Sequence, residues 1–160
     1  MKQKTLSILL KIIIIGVVLC CVVVYAFVIP SLGKDLAMEG DGEFAYMYLP
    51  WYLFILGTAI PLAAAAVVAW IIASNIGRDR SFCMANAKLL AVFAILAAVD
   101  TAYFFIGNVI FVFLNMSHPG VVLFSLFICF AGIAITVASA ALSHYARKAA
   151  LLKEQADLTI

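Results

Sequence analysis

The sequence predicts an all-α integral membrane protein, a four-helix bundle with both termini in the cytoplasm. Of its 160 residues 68% are hydrophobic, and the mean hydropathy is +1.21, whereas a soluble domain is about 45–50% apolar. About 20 apolar residues in a helix cross the ~30 Å hydrocarbon core of a bilayer. The chain has four such runs, at residues 8–29, 51–73, 89–114 and 121–145. No length remains for a separate soluble core, so residues 1–160 form a single membrane domain.

The basic residues indicate the orientation. With four spans, nine of the ten Lys and Arg residues fall on one side of the membrane, and Lys34 falls on the other. Cytoplasmic segments carry such an excess of positive charge. We therefore expect both termini, the loop between the second and third spans and the tail 146–160 to be cytoplasmic, in a multi-pass protein of the plasma (inner) membrane.

The first run begins like a signal peptide, but its apolar stretch is too long and no small-residue cleavage site follows it. It is therefore predicted to be an uncleaved span that ends at Pro30. Residues 31–50 are predicted to form an acidic loop. The aromatic end of that loop, FAYMYLPWY, is typical of an interfacial belt, and a ligand-binding role for these aromatics is the weaker alternative.

Small residues recur every four positions in the second span, at Gly57, Pro61, Ala65 and Ala69. Such a stripe lets a neighbouring helix approach closely. Residues 74–88 are predicted to form a polar loop, in which Gly77 ends one helix and Ser81 caps the next.

The third span carries Asp100 near its middle, where insertion of a carboxylate costs about 2.5–3.5 kcal/mol. Asp100 is therefore expected to face protein, and the hydroxyls of the fourth span are the predicted partners. One interpretation, which we favour, is an interhelical hydrogen-bonding group; the alternative is a proton or ion site in a small transporter. The predicted intramembrane polar site consists of Asp100, Thr101, Tyr103, Asn108, Ser125, Thr136 and Ser139.

The tail keeps apolar residues around acidic ones after the span has ended. Such a segment can dock into a groove of a cytoplasmic partner, and the alternative is that it lies on the bilayer surface or packs on the loop. The predicted docking residues are Leu151, Leu152, Glu154, Asp157, Leu158 and Ile160.

Two stretches are similar to a known family. The first is Gly77 with Ser81-Phe82 and then Asn86-Ala87-Lys88-Leu89; the second is the tail from Leu152, which ends in Lys-Glu-x-x-Asp-Leu-Thr-Ile. In these stretches the chain resembles a bacterial family known as domain of unknown function 2975. Its members are often encoded beside a very small Cro/CI-type helix-turn-helix regulator. The resemblance therefore implies a membrane partner of a cytoplasmic transcription factor.

Several classes of function are not expected. One intramembrane acid, with both histidines outside the membrane core, does not supply the nucleophile, base or paired acids of an enzyme. The four cysteines are predicted to be buried apolar residues, and we expect no metal site and no cofactor. The sequence has no basic stripe for direct nucleic-acid binding. The lipid bilayer is the expected environment, and homo-oligomerisation stays open.

Overall fold

A computed structural model describes residues 3–38, 45–81 and 83–157, without the side chain of Asp157. All regular structure in these segments is helical, as predicted. The elements are α1 (Gln3–Val23), a π-helical turn (Val24–Val28), α2 (Ile29–Met38), α3 (Ala45–Gly77), α4 (Met84–Phe113) and α5 (Pro119–Asp157).

Four helical stretches are long and apolar enough to cross a membrane. They are Gln3–Met38, Ala45–Gly77, Met84–Phe113 and Pro119–Ala156. Each predicted span lies inside one of them, apart from Leu114, which caps the end of α4. The helices extend beyond the predicted spans because hydropathy marks only the part that fits a hydrocarbon core, and a helix can continue past it.

The prediction that Pro30 ends the first helix was wrong. Pro30 is the second residue of α2, and the helical path runs without a break from Gln3 to Met38. A proline ring normally clashes with the carbonyl four residues earlier. Here the turn before it is π-helical, and the Ile29 N–H bonds the Val24 carbonyl five residues back. This wider turn lets the chain continue as a helix, so residues 31–38 are not the predicted loop.

The predicted polar loop at 74–88 is also shorter than expected. The α3 helix continues to Gly77, and α4 begins at Met84 after a connection in which Asp79 adopts a left-handed backbone with φ of 62°. Cys83, and not Ser81, occupies the N-cap position of α4. The Ser81 hydroxyl instead donates a 3.0 Å hydrogen bond to Oε1 of Gln3.

The helices pack in an open row. The extensive contacts between long helices are α1 with α3, α3 with α4, and α4 with α5, while α2 packs on α3. No other pair of helices makes more than a marginal contact within the described ranges. The predicted four-helix bundle is, within these ranges, an open row of four long helices.

Glycines set the closest approaches in this row. A Cβ at Gly57 of α3 would overlap the Tyr103 ring, and one at Gly107 of α4 would overlap Phe54. A Cβ at Gly132 of α5 would overlap the side chain of Thr101. The predicted close packing at the small residues of α3 is thus confirmed at Gly57.

Candidate functional site

Asp100 lies midway along α4 and is half-buried. One carboxylate oxygen, Oδ1, is buried and has no hydrogen-bond partner in the part of the chain that the structure describes. Helical spacing places Asp100 on the face of α4 that carries Tyr103, Phe104 and Gly107. All three pack on Phe54 of α3, so Asp100 belongs to the α3 side of α4.

One polar group near Asp100 comes from another helix, the hydroxyl of Tyr25. It lies close enough to Asp100 for an electrostatic interaction, and it hydrogen-bonds the Thr58 hydroxyl of α3. Thr58 donates its own proton to the Ile55 carbonyl at 2.6 Å. Because a threonine hydroxyl has one proton, Tyr25 is the donor to Thr58. Tyr25 therefore has no proton left to offer Asp100.

Tyr25 is part of the π-helical turn that joins α1 to α2. Short π-helical insertions are rare and are frequent at functional sites. The extra residue in the turn changes the direction in which the following side chains point, and it is the same turn that accommodates Pro30. The site thus joins a distorted first helix, Thr58 of α3 and Asp100 of α4.

The other predicted site residues lie elsewhere, except Tyr103, whose hydroxyl donates to the Phe54 carbonyl at 3.2 Å. Thr101 packs against Gly132 of α5, and its hydroxyl bonds the Ala97 carbonyl of its own helix at 2.7 Å. The Thr136 hydroxyl likewise bonds the Gly132 carbonyl at 2.9 Å. The fourth-helix hydroxyls do not pair with Asp100. Asn108, Ser125 and Ser139 are buried.

Sequence reasoning missed Tyr25 and Thr58. Each is an isolated polar residue in an apolar run, and the two are 33 positions apart. No short spacing links either to Asp100. The sequence did contain one usable signal: Tyr25 places a hydroxyl within a predicted span. A hydroxyl surrounded by lipid needs a hydrogen-bond partner on another helix or on its own.

A second polar junction lies at the end of the row that carries the N-terminus. Ser7 of α1 donates to the Ala73 carbonyl of α3 at 2.6 Å, and Ser143 of α5 donates to the Ala87 carbonyl of α4 at 2.7 Å. Between them, Asn86 of α4 is 2% exposed and accepts a hydrogen bond from Asn75. Its Nδ2 contacts the carbonyls of Arg80 and Ser81. These bonds join all four long helices to the 78–83 connection.

The predicted docking tail is a direct continuation of α5. Leu151 and Leu152 are 44% and 66% exposed, and Glu154 is also exposed. Asp157 is the last residue of α5. The side chain of Asp157, together with Leu158 and Ile160, lies outside the described residues.

Across residues 3–38, 45–81 and 83–157, no group of three or more His, Cys, Asp or Glu side chains is arranged to hold a metal ion.

The fold and this arrangement define an all-helical protein with four helices long and apolar enough to span a membrane. A family model matches residues 31–160, and the chain belongs to that family, described as protein of unknown function (DUF2975). The resemblance in the 77–89 loop and the tail is thus confirmed. The matched segment contains Asp100 and Asn86, whereas Tyr25 precedes it. No curated protein and no solved structure is detectably similar to the chain.

Proposed function

We propose that the protein is a non-enzymatic regulatory or sensor protein of the plasma (inner) membrane, with both termini cytoplasmic, whose α5 extension docks a soluble partner. One observation carries this proposal: α5 has 39 residues and no interruption. At 1.5 Å per residue it is about 58 Å long, whereas a hydrocarbon core is about 30 Å thick. A large part of α5 therefore projects beyond the membrane.

The projecting part is suited to a protein partner. Leu151 and Leu152 are exposed next to Lys153 and Glu154. Helices that lie on a bilayer surface usually have a basic polar face, and this segment ends in acidic Glu154 and Asp157. An apolar stripe beside mixed charge is favourable for insertion into a groove of another protein. Because the helix is continuous, movement of the membrane part can reach the docked partner.

The family resemblance supports a small helix-turn-helix protein as that partner. Apart from Lys34, the basic residues lie within the first 11 positions, in or close to the 78–83 connection, and after residue 146, as expected for cytoplasmic segments and not for a DNA-binding surface. DNA contact is therefore assigned to the partner. Homo-oligomerisation is compatible with this arrangement and is not required by it.

The test is co-purification with a small helix-turn-helix protein of the kind that the family resemblance implies, expressed with an affinity tag. L151Q/L152Q removes the apolar stripe without adding charge, and the matched variant K153Q/E154Q removes charge from the same turn. We expect capture from detergent extracts to be lost with L151Q/L152Q and retained with K153Q/E154Q. Equal capture of the wild-type protein and L151Q/L152Q would contradict the docking role.

A small proton-coupled carrier is the second candidate, and Asp100 favours it. Its carboxylate oxygen is buried, and the neighbouring Tyr25 already donates to Thr58. A buried carboxyl without a donor can itself hold a proton, and intramembrane acids commonly mark proton paths. The lack of an acid in the first span distinguishes the chain from small multidrug carriers, which use a Glu there.

This candidate is tested in liposomes with an imposed pH gradient and a permeant cation, tetraphenylphosphonium, as the probe. A carrier would exchange protons for the probe, Asp100→Asn would abolish exchange, and Asp79→Asn in the exposed connection would not. If the wild-type protein moves no protons, the carrier function fails and the docking proposal is unaffected. If Asp100 serves only as a hydrogen-bonding group, Asn is tolerated and Asp100→Leu weakens helix association by about 1–2 kcal/mol or less.

A further inference from the structure

A cleft of about 310 Å³ opens between α4 and α5 near the end of α4. This size is at the lower end of the range for small-molecule sites, about 300–1,000 Å³. Its wall is apolar and aromatic, with three exceptions that carry a polar atom or a thiol. Those three residues are Asn108, Ser125 and Cys129.

Asn108 is the unusual member of this wall. It is 6% exposed, and its Nδ2 donates to the Phe104 carbonyl at 2.8 Å. Its other amide atom, Oδ1, is buried and finds no donor within the described ranges. A buried acceptor without a partner is unfavourable, and in lipid no bulk water is present to satisfy it. The wall of the cleft therefore holds one strong acceptor without a donor, covered by its neighbouring atoms.

We propose that this cleft binds a membrane-dissolved neutral amphiphile that has an apolar body and a hydrogen-bond donor, such as a long-chain alcohol. The apolar body would occupy the cleft, and the hydroxyl would donate to Oδ1 of Asn108. No basic side chain lines the cleft, so an anion would find no counter-charge there. The amide oxygen is covered in the unliganded protein, so binding includes a rotation of cleft side chains. Phe105, a residue of the cleft wall, is 49% exposed.

This inference rests on the proposed sensor function, for which it supplies the class of signal. It is separate from the Asp100 site, because Asn108 and Asp100 lie on different faces of α4. Occupation of a cleft between α4 and α5 would act on the helix that carries the docking segment. Binding of the amphiphile and docking of the partner can be measured independently.

The structure offers an internal comparison. A second cleft, of about 250 Å³, lies between α3 and α4 and is lined by residues that include Phe54, Tyr103 and Ile110. It is also apolar, but the Tyr103 hydroxyl that borders it already bonds the Phe54 carbonyl. The first cleft therefore differs from the second in the unpaired acceptor of Asn108, and also in Ser125 and Cys129.

The experiment uses two photoreactive probes on the full-length protein in lipid nanodiscs: a long-chain alcohol with a diazirine, and the matching alkane without the hydroxyl. Labelled peptides are mapped by mass spectrometry. We expect the alcohol to label residues 122–129 of α5 about tenfold more than the alkane does, which corresponds to about 1.4 kcal/mol. Asn108→Leu should abolish that preference. Asn108→Asp keeps an acceptor and should retain labelling by the alcohol.

Two outcomes would overturn the proposal. Equal labelling by both probes would mean that the cleft holds acyl chains without recognition. A preference unchanged in Asn108→Leu would assign recognition to another group. Partner capture in Asn108→Leu is measured alongside: loss of labelling with capture intact separates this inference from the docking proposal. Circular dichroism of each variant checks that the helices are retained.

Discussion

The side-chain amide of Asn75, near the end of α3, donates a 2.8 Å hydrogen bond to Oδ1 of Asn86 in the first turn of α4. The Nδ2 of Asn86 in turn contacts the carbonyls of Arg80 and Ser81. The buried side chain of Asn86 thus satisfies a polar group of α3 and two carbonyls of the connection between the two helices. This geometry makes Asn86 the residue that fixes how α3 turns into α4.

Asn86→Ala should destabilise the protein by about 1–3 kcal/mol, because it leaves the Asn75 amide and two carbonyls without their partner. The measurement is thermal unfolding in detergent, followed by circular dichroism. Ala85→Ser, on the exposed side of the same turn, is the control and should change stability little. An Asn86→Ala protein as stable as the wild type would show that water replaces these bonds.

Gly132→Ala should separate α4 from α5, because the added Cβ would overlap the side chain of Thr101. Overpacking of this kind typically destabilises by about 1–3 kcal/mol. Thr101→Ala in the same chain removes the overlapping hydroxyl and methyl groups and should restore much of the loss. Gly16→Ala is the matched control, since a Cβ there meets nothing within 4 Å. Failure of the double variant to recover would place the strain elsewhere.

Trp51→Phe should loosen the turn between α4 and α5. The indole Nε1 of Trp51 donates to the Met116 carbonyl at 2.7 Å, while its ring stacks on Phe111 with centroids 4.5 Å apart. Phenylalanine keeps the stacking and loses the bond, so we expect a loss of about 0.5–1.5 kcal/mol. Hydrogen exchange should accelerate at residues 115–117. Trp70→Phe, at the other end of α3, should leave that exchange unchanged.

Cysteine labelling tests the proposed orientation. In a background without native cysteines, His118→Cys should react with a membrane-impermeant maleimide in intact cells. Asp79→Cys and Glu154→Cys should react only after the membrane is opened. The reason is the excess of basic residues beside those two positions. The ammonium of Lys11 lies 5.1 Å from the centre of the Trp70 ring, a pairing suited to a membrane interface. Labelling at Asp79 from outside would reverse the assignment.

The existence of the four long helices was predictable because a bilayer imposes a minimum apolar length, and the sequence meets it four times. The positions at which the helices end were harder to predict from the sequence. Pro30 was interpreted as a stop, but the π-helical turn before it depends on how the whole first helix packs. Trp51 was assigned to an interfacial belt, whereas much of its role is contact with α4 and the following turn. These outcomes depend on neighbours that lie far away in the sequence.

The candidate site was predictable only in part. The unfavourable insertion of a carboxylate singled out Asp100 in the sequence. Helical spacing placed it on the face of α4 that carries Tyr103, Phe104 and Gly107. The expected partners on α5 were not the observed neighbours, because Thr136 satisfies its hydroxyl within its own helix. Short polar side chains in helices commonly do so. Which face of α4 meets which helix could not be read from composition, since both faces carry small and polar residues.

The open row of helices bears on how the chain is made. Each long helix after the first packs on the one synthesised just before it, so no early helix must wait for a distant one. Each new contact then closes only a short stretch of chain, so the entropy cost of loop closure at each step is small, which favours rapid assembly. Once α3 has been synthesised, α1 can pack on it. The α5 helix then packs on α4 without disrupting the contacts already formed. Premature termination after α4 would accordingly remove α5, with which α4 makes its most extensive contacts, together with the segment that extends from it.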